Sequence, residues 1–195
     1  GTDRNDLRRT SKTWASVTAT GHSEVSLSGL EADTTYYYSV GGAGVADPSH
    51  WFRTAPAVGS LPADGNTRIW IVGDSGVAGR NPPSPGAGQV RDGFMNYVQS
   101  TGGELADLFL MLGDNAYNQG TDLEHQWAIF DVYPEILATT PLWPTIGNHE
   151  MGSFGGAVST STDQYAVVGH GSTGGPDPAP DSPMPYLYIF TLPTH

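Results

Sequence analysis

Leu108-Phe109-Leu110-Met111-Leu112, running straight into Gly113-Asp114-Asn115-Ala116-Tyr117, decides how the larger part of this chain is read. A short apolar run closed by a glycine and an acidic turn reads as a β-strand ending at a loop. The same pattern is written twice more. Ile69-Trp70-Ile71-Val72 leads into Gly73-Asp74-Ser75-Gly76, and Leu142-Trp143-Pro144-Thr145-Ile146 leads into Gly147-Asn148-His149-Glu150. Between the first two turns, Val90, Phe94, Tyr97 and Val98 repeat at helical spacing until Gly102-Gly103 stops the run. Between the second and third, Asp122 is the expected helix cap. Leu123, Trp127, Phe130 and Leu137 lie close to one face, and Pro134 bends or ends the helix. Alternating strands and helices predict right-handed crossovers and a mainly parallel sheet. The three turns would then meet beyond the strands' carboxyl ends, where open α/β sheets bind ligands.

Outward from that core the texture changes. Residues 11–56 carry strand signals only: Thr13–Ala19, Glu24–Ser28, the aromatic run Thr35-Tyr36-Tyr37-Tyr38-Ser39-Val40, and Trp51–Thr54. Short strands at close spacing, punctuated by Gly, Asp and Pro, predict part of an antiparallel sandwich. Residues 57–66 read as a linker from their small and turn-forming side chains. Residues 151–183 form a long Gly/Ser/Thr/Pro-rich stretch without periodicity, a functional rim or a mobile segment.

Composition bounds the function. The 195 residues can bury a real core in one domain or two small ones, and five tryptophans argue against disorder. With no cysteine, neither a disulfide framework nor a thiolate metal site is possible. A formal net charge of −12, with Lys12 the single lysine, argues against nucleic acid as a partner. A phosphorylated substrate would meet the same repulsive field unless bound cations offset it locally. No apolar run approaches the roughly eighteen residues that a membrane span needs.

The three turns bring hard donors together. Asp74 and Asp114 are 40 residues apart and Asp114 and Asn148 are 34 apart, about one βα unit each. An aspartate on the middle strand can bridge two cations, Asn148 offers a neutral carbonyl oxygen, and a deprotonated Tyr117 offers a phenolate that favours a trivalent ion. Two bridged cations make hydroxide from water near neutral pH and neutralise oxygens on phosphorus. His149 then contacts the substrate or protonates the leaving oxygen. A lone Gly-Asp after a strand is usually just a turn residue bonding its own backbone, but three in three successive strands make that explanation poor. Glu150 reads as a residue supporting the ligands from behind, a helix-start residue or plain surface, and is left outside the site. His125 reads as half-buried surface beside Trp127, and His22, His50 and His170 have no spacing partner.

Gly-Asp-x-Gly, Gly-Asp-x-x-Tyr and Gly-Asn-His-Glu, in this order on successive strands, resemble the first three of five motifs of the purple acid phosphatases, a family of metallophosphoesterases. Tyr117 is the discriminating residue, since metallophosphoesterases at large share the other elements without it. Leu30–Val40 and Phe52-Arg53-Thr54-Ala55-Pro56 are similar to the end of the fibronectin type III-like domain that precedes the catalytic domain in many members. Ile189-Phe190-Thr191-Leu192-Pro193 looks like the segment leading into the next core strand.

The resemblance implies Asp74, Asp114 and Tyr117 as ligands of a ferric ion. Asp114 would bridge to a divalent ion (zinc, manganese or iron) that Asn148 also binds, with His149 as the catalytic residue beside the phosphate. The family's fourth and fifth motifs, Val-x-x-His and Gly-His-x-His, supply three further histidine ligands, and this reading places both beyond His195. The expected architecture is therefore two-part. Residues 1–56 are the C-terminal part of an all-β, fibronectin type III-like sandwich. Residues 57–66 link it to the N-terminal half of an α/β metallophosphoesterase domain at 67–195. The complete protein would be a secreted or otherwise extracytoplasmic acid phosphatase acting on small phosphate monoesters, the chain itself being an inactive fragment. The alternatives are a phosphodiesterase or nucleotide-cleaving relative, and a non-catalytic fibronectin-like binding module on a degenerate phosphoesterase scaffold.

Overall fold

A computed structural model describes residues 1–5, 16–17, 23–40, 49–79, 85–150 and 185–191. The long stretch read at 151–183 lies outside the described residues, as do His22, His170, His195 and the flanks of the run at Thr13–Ala19. Its elements in chain order are β1 (Ser16–Val17), β2 (Ser23–Glu24), β3 (Thr35–Tyr37), β4 (Trp51–Arg53) and β5 (Ile69–Val72). After these come α1 (Gly86–Thr101), β6 (Leu108–Met111), α2 (Asp122–His125), a π-helical turn (Gln126–Phe130), α3 (Pro134–Leu137), β7 (Leu142–Pro144) and α4 (Pro185–Ile189).

The N-terminal region forms two separate two-stranded antiparallel ladders, β1 with β2 and β3 with β4. In the second, Tyr36 stands opposite Phe52 and their rings stack with centroids 5.8 Å apart. The strand expected over Glu24–Ser28 is shorter than its alternation suggests. Among the described residues only Ser23–Glu24 pairs, and Val25 and Leu27 are exposed. The Tyr38 hydroxyl donates to the Ala138 carbonyl at 2.9 Å, tying this region to the helical one. The 57–66 segment turns twice, with Ser60 N–H donating to Ala57 and Gly65 N–H to Pro62.

The three apolar runs form one parallel sheet in the order β5-β6-β7, so Asp114 follows the middle strand. Ile69 pairs with Leu108 and Phe109 with Leu142. Trp70, Val72, Phe109, Met111, Leu142 and Pro144 alternate onto the inner face, as the period of two demands. Trp70 is sandwiched between Phe94 of α1 (4.3 Å between centroids, 6° between planes) and Phe109 (4.5 Å, 17°), and Tyr133 meets both edge-on. Each such pair adds about 0.5–1.5 kcal/mol beyond its buried area. Ile69, Ile71, Leu112 and Trp143 on the other face are exposed.

Helix α1 ends where the glycine pair predicts. Gly102 takes the left-handed conformation at φ 61°, and the N–H groups of Gly102 and Gly103 cap the carbonyls of Gln99 and Val98. Its inward face is carried by Ala87, Phe94 and Met95, while Val90 and Tyr97, expected there, are exposed. The helix expected from Asp122 to Leu137 is broken in two. Thr121, not Asp122, is the N-cap, in a capping box with Glu124. The middle passes through the π-helical turn, and Pro134 starts α3 at a first-turn position instead of ending a helix. No helix among the described residues is long and apolar enough to cross a membrane.

Candidate metal centre

Parallel strands in register end at one edge, and here the ladder continues past them into the turns. Leu112 N–H donates to the Val72 carbonyl at 2.9 Å, Asp74 N–H to Gly113 at 3.2 Å, and Gly76 N–H to Asp114 at 3.0 Å. On the other side Thr145 N–H donates to Met111 at 2.7 Å. Two glycines make the turns' close approach possible. A Cβ on Gly76 would lie 2.6 Å from the Ala116 nitrogen, and one on Gly147 would overlap the nitrogen and carboxylate of Asp114.

Asp74 and Asp114 both sit in the left-handed region, at φ 53° and 52°. That conformation is uncommon for a residue with a side chain and costs on the order of 1–3 kcal/mol unless the surroundings enforce it. Asp33 shares that φ in a turn of its own, and what sets Asp74 and Asp114 apart is that their carboxylates converge. Between them lies the Tyr117 hydroxyl, 3.1 Å from Asp74 Oδ1 and 3.3 Å from Asp114 Oδ2. Tyr117 is buried, and its phenol is held above the usual tyrosine range. Burial is the largest cause, followed by the hydrogen bond to Asp74 and the charges of the two carboxylates. Without a cation between them the phenol keeps its proton.

His149 completes the group. Its backbone N–H donates to Asp114 Oδ1 at 3.0 Å, and its ring packs edge-on against Tyr117 at 4.2 Å between centroids. Nδ1 lies 2.7 Å from the Asn118 carbonyl, so the neutral ring carries its proton on Nδ1. Nε2 then faces Asp114 Oδ2 at 3.9 Å. Asn148, exposed in the same turn, lies between Gly147 and His149, whose main chains both contact Asp114. The structure thus gathers Asp74, Asp114, Tyr117 and His149 directly and brings the turn of Asn148 alongside.

Among the described residues no three His, Cys, Asp or Glu side chains group to hold a metal. The convergent donors are instead two carboxylates sharing one phenol oxygen, a hard oxygen set that suits a trivalent ion. In that respect the residues present fit a ferric ion.

One residue, His125, and one pattern stand differently from the sequence reading, and Glu150 takes one of its three readings, support behind the site. Glu150 is fully buried and accepts four backbone N–H groups, those of Asp114, Asn115, Ala116 and Gly147, at 2.6–2.9 Å. An acidic residue next to a histidine gives no local sign of this. His125 is fully buried, not half-exposed, with Nδ1 on the Thr121 carbonyl at 2.9 Å and Nε2 unpaired among the described residues. Desolvation lowers its pKa, opposed by the Thr121 carbonyl and the charges of Glu150, Asp122 and Glu124. Finally, Val167-Val168-Gly169-His170 matches Val-x-x-His letter for letter, so that pattern does occur before His195, whereas Gly-His-x-His does not. Two fixed letters are easily met by chance in a chain with six histidines, and the segment lies outside the described residues.

Neither protein-family models nor curated proteins give a match to this chain.

Proposed function

We propose that this chain carries part of the binuclear metal centre of a phosphate monoester hydrolase resembling the purple acid phosphatases. The observation that carries the reading is the Tyr117 hydroxyl held within 3.3 Å of two carboxylates whose aspartates both adopt left-handed φ. A packed tyrosine in an ordinary turn needs one hydrogen-bond partner, and a hydroxyl shared by two carboxylates from adjacent turns is more than that role requires.

Asp74, Asp114 and Tyr117 would hold ferric iron, and Asp114 with Asn148 a divalent zinc, manganese or iron. Such a pair supplies Lewis acidity toward a phosphate ester and lowers the pKa of water. The chain's own groups do the rest. His149, its ring fixed by the Asn118 carbonyl, presents Nε2 beside Asp114. When protonated it would donate to a phosphate oxygen or the leaving oxygen. The second sheet face, with Ile69, Ile71, Leu112 and Trp143, is apolar and exposed. A fibronectin-like N-terminal unit and an extracytoplasmic location belong to the same proposal.

Titrating the chain with ferric iron tests it. A phenolate-to-iron charge-transfer band should grow in the visible spectrum and be abolished by Tyr117→Phe, which removes only the hydroxyl. No band in the wild type, or one that survives the substitution, defeats the reading.

A further inference from the structure

The loop that carries Asp114 and Tyr117 has every main-chain N–H from residue 114 to residue 121 accounted for. Asp114, Asn115 and Ala116 donate to the Glu150 carboxylate at 2.9, 2.6 and 2.9 Å. Tyr117 donates to the Gly76 carbonyl at 3.2 Å, and Gly120 to the Ala116 carbonyl at 3.1 Å. Asn118, Gln119 and Thr121 donate to the Glu124 carboxylate, the last two at 3.1 and 2.9 Å. Six of these eight donors therefore end on just two carboxylates, which grip the loop from opposite flanks of Tyr117.

Both carboxylates accept main-chain donors through both of their oxygens. A buried carboxylate is costly unless donors surround it, and bonds from N–H to a charged acceptor are roughly twice as strong as neutral ones. Glu150 also takes the Gly147 N–H at 2.7 Å, which ties the turn of Asn148 to that of Asp114 through one side chain. Glu124 acts on the other flank. The Asn118 residue that donates to it also offers its carbonyl to His149 Nδ1. Its grip thereby orients the imidazole and selects its tautomer.

We propose that Glu150 and Glu124 are positioning residues that preset the Asp114–Thr121 loop before any ligand arrives. Glu150 sets the spacing of the Asp114 and Asn148 turns, and Glu124 sets the orientation of His149. The consequence for metal binding rests on the proposed function; the consequence for the backbone does not.

The test uses the full chain, first without metal, as wild type, Glu150→Gln and Glu124→Gln. Glutamine keeps the shape but turns one oxygen into a donor, so whichever way its amide lies, two of the four donors around residue 150 lose their acceptor. Amide hydrogen exchange in Glu150→Gln should speed at least about tenfold at one pair of these amides, Asn115 with Ala116 or Asp114 with Gly147, according to which oxygen is replaced. In Glu124→Gln it should speed either at Asn118 or at Gln119 and Thr121, with the Met95 amide inside α1 unchanged in both variants. Nitrogen NMR of His149 should show the Nδ1–H tautomer in the wild type and a mixture in Glu124→Gln. With ferric iron and zinc added, Glu150→Gln should bind about 10–100-fold more weakly, the usual effect of removing a group that orients ligands.

Unchanged exchange at the named amides overturns the proposal. So does equal acceleration in the loop and at Met95, which would mean general loosening. If Glu150→Gln does not fold, the exchange and tautomer of Glu124→Gln decide the matter. A wild type that binds neither metal would sink the phosphatase reading alone, because the exchange result stands apart from it.

Discussion

Gly76→Ala is the sharpest probe of how the metal-site turns are joined. The added methyl would sit 2.6 Å from the Ala116 nitrogen, 2.7 Å from the Asn115 carbonyl carbon and 2.8 Å from the Ala116 Cα. All three are main-chain atoms that cannot rotate away, so the first and second turns must separate. Overpacking of this kind costs about 1–3 kcal/mol. Separation also weakens two hydrogen bonds, Gly76 N–H to Asp114 and Tyr117 N–H to Gly76, each worth about 0.5–1.5 kcal/mol net. The expected loss is therefore about 2–5 kcal/mol in a urea denaturation of the metal-free chain. Because Asp74 moves with the first turn, ferric iron affinity should fall as well. Gly93→Ala is the matched control: it lies in the exposed middle of α1 with open space around its Cβ position. There alanine should stabilise by about 0.5–1 kcal/mol, because glycine is the poorer helix former. If Gly76→Ala matched the wild type within about 0.5 kcal/mol, the backbone-to-backbone contact of the turns would be wrong.

Two further outcomes follow from named histidines. His125 is buried with its pKa depressed, so the unfolded chain, at about 6.5, takes up a proton before the folded chain does. Stability should therefore be level above that pH and fall below it, by at most about 1.4 kcal/mol per pH unit, until the folded pKa is passed. Urea midpoints between pH 8 and 5 should be flatter for His125→Gln, and parallel profiles would contradict the burial. In a metal-loaded enzyme that contains this chain, His149→Ala should retain its metals while losing about a hundred- to ten-thousand-fold in turnover. Asn148→Ala should lose the divalent ion, and equal metal depletion in both variants would show the division of roles to be wrong.

Local chemistry made much of this legible from residues alone. Ile69–Val72, Leu108–Met111 and Leu142–Pro144 announce strands because an apolar run closed by glycine is a short-range property. Gly102 ends α1 because only a residue free of a Cβ takes that φ cheaply. Asp74, Asp114, Tyr117 and His149 were nameable because each sits at a fixed offset past a strand end. The faces of α1 and the break after Phe130 were not, since Val90 and Tyr97 are as apolar as the residues that do face inward, and the sheet decides which side is covered. Glu150 marks the limit most clearly. A carboxylate is stable in the interior only when donors converge on it, and its four come from turns that lie 34 to 36 residues away and from Gly147 in its own turn. That convergence is created when two parallel strands come into register and is written in neither turn alone.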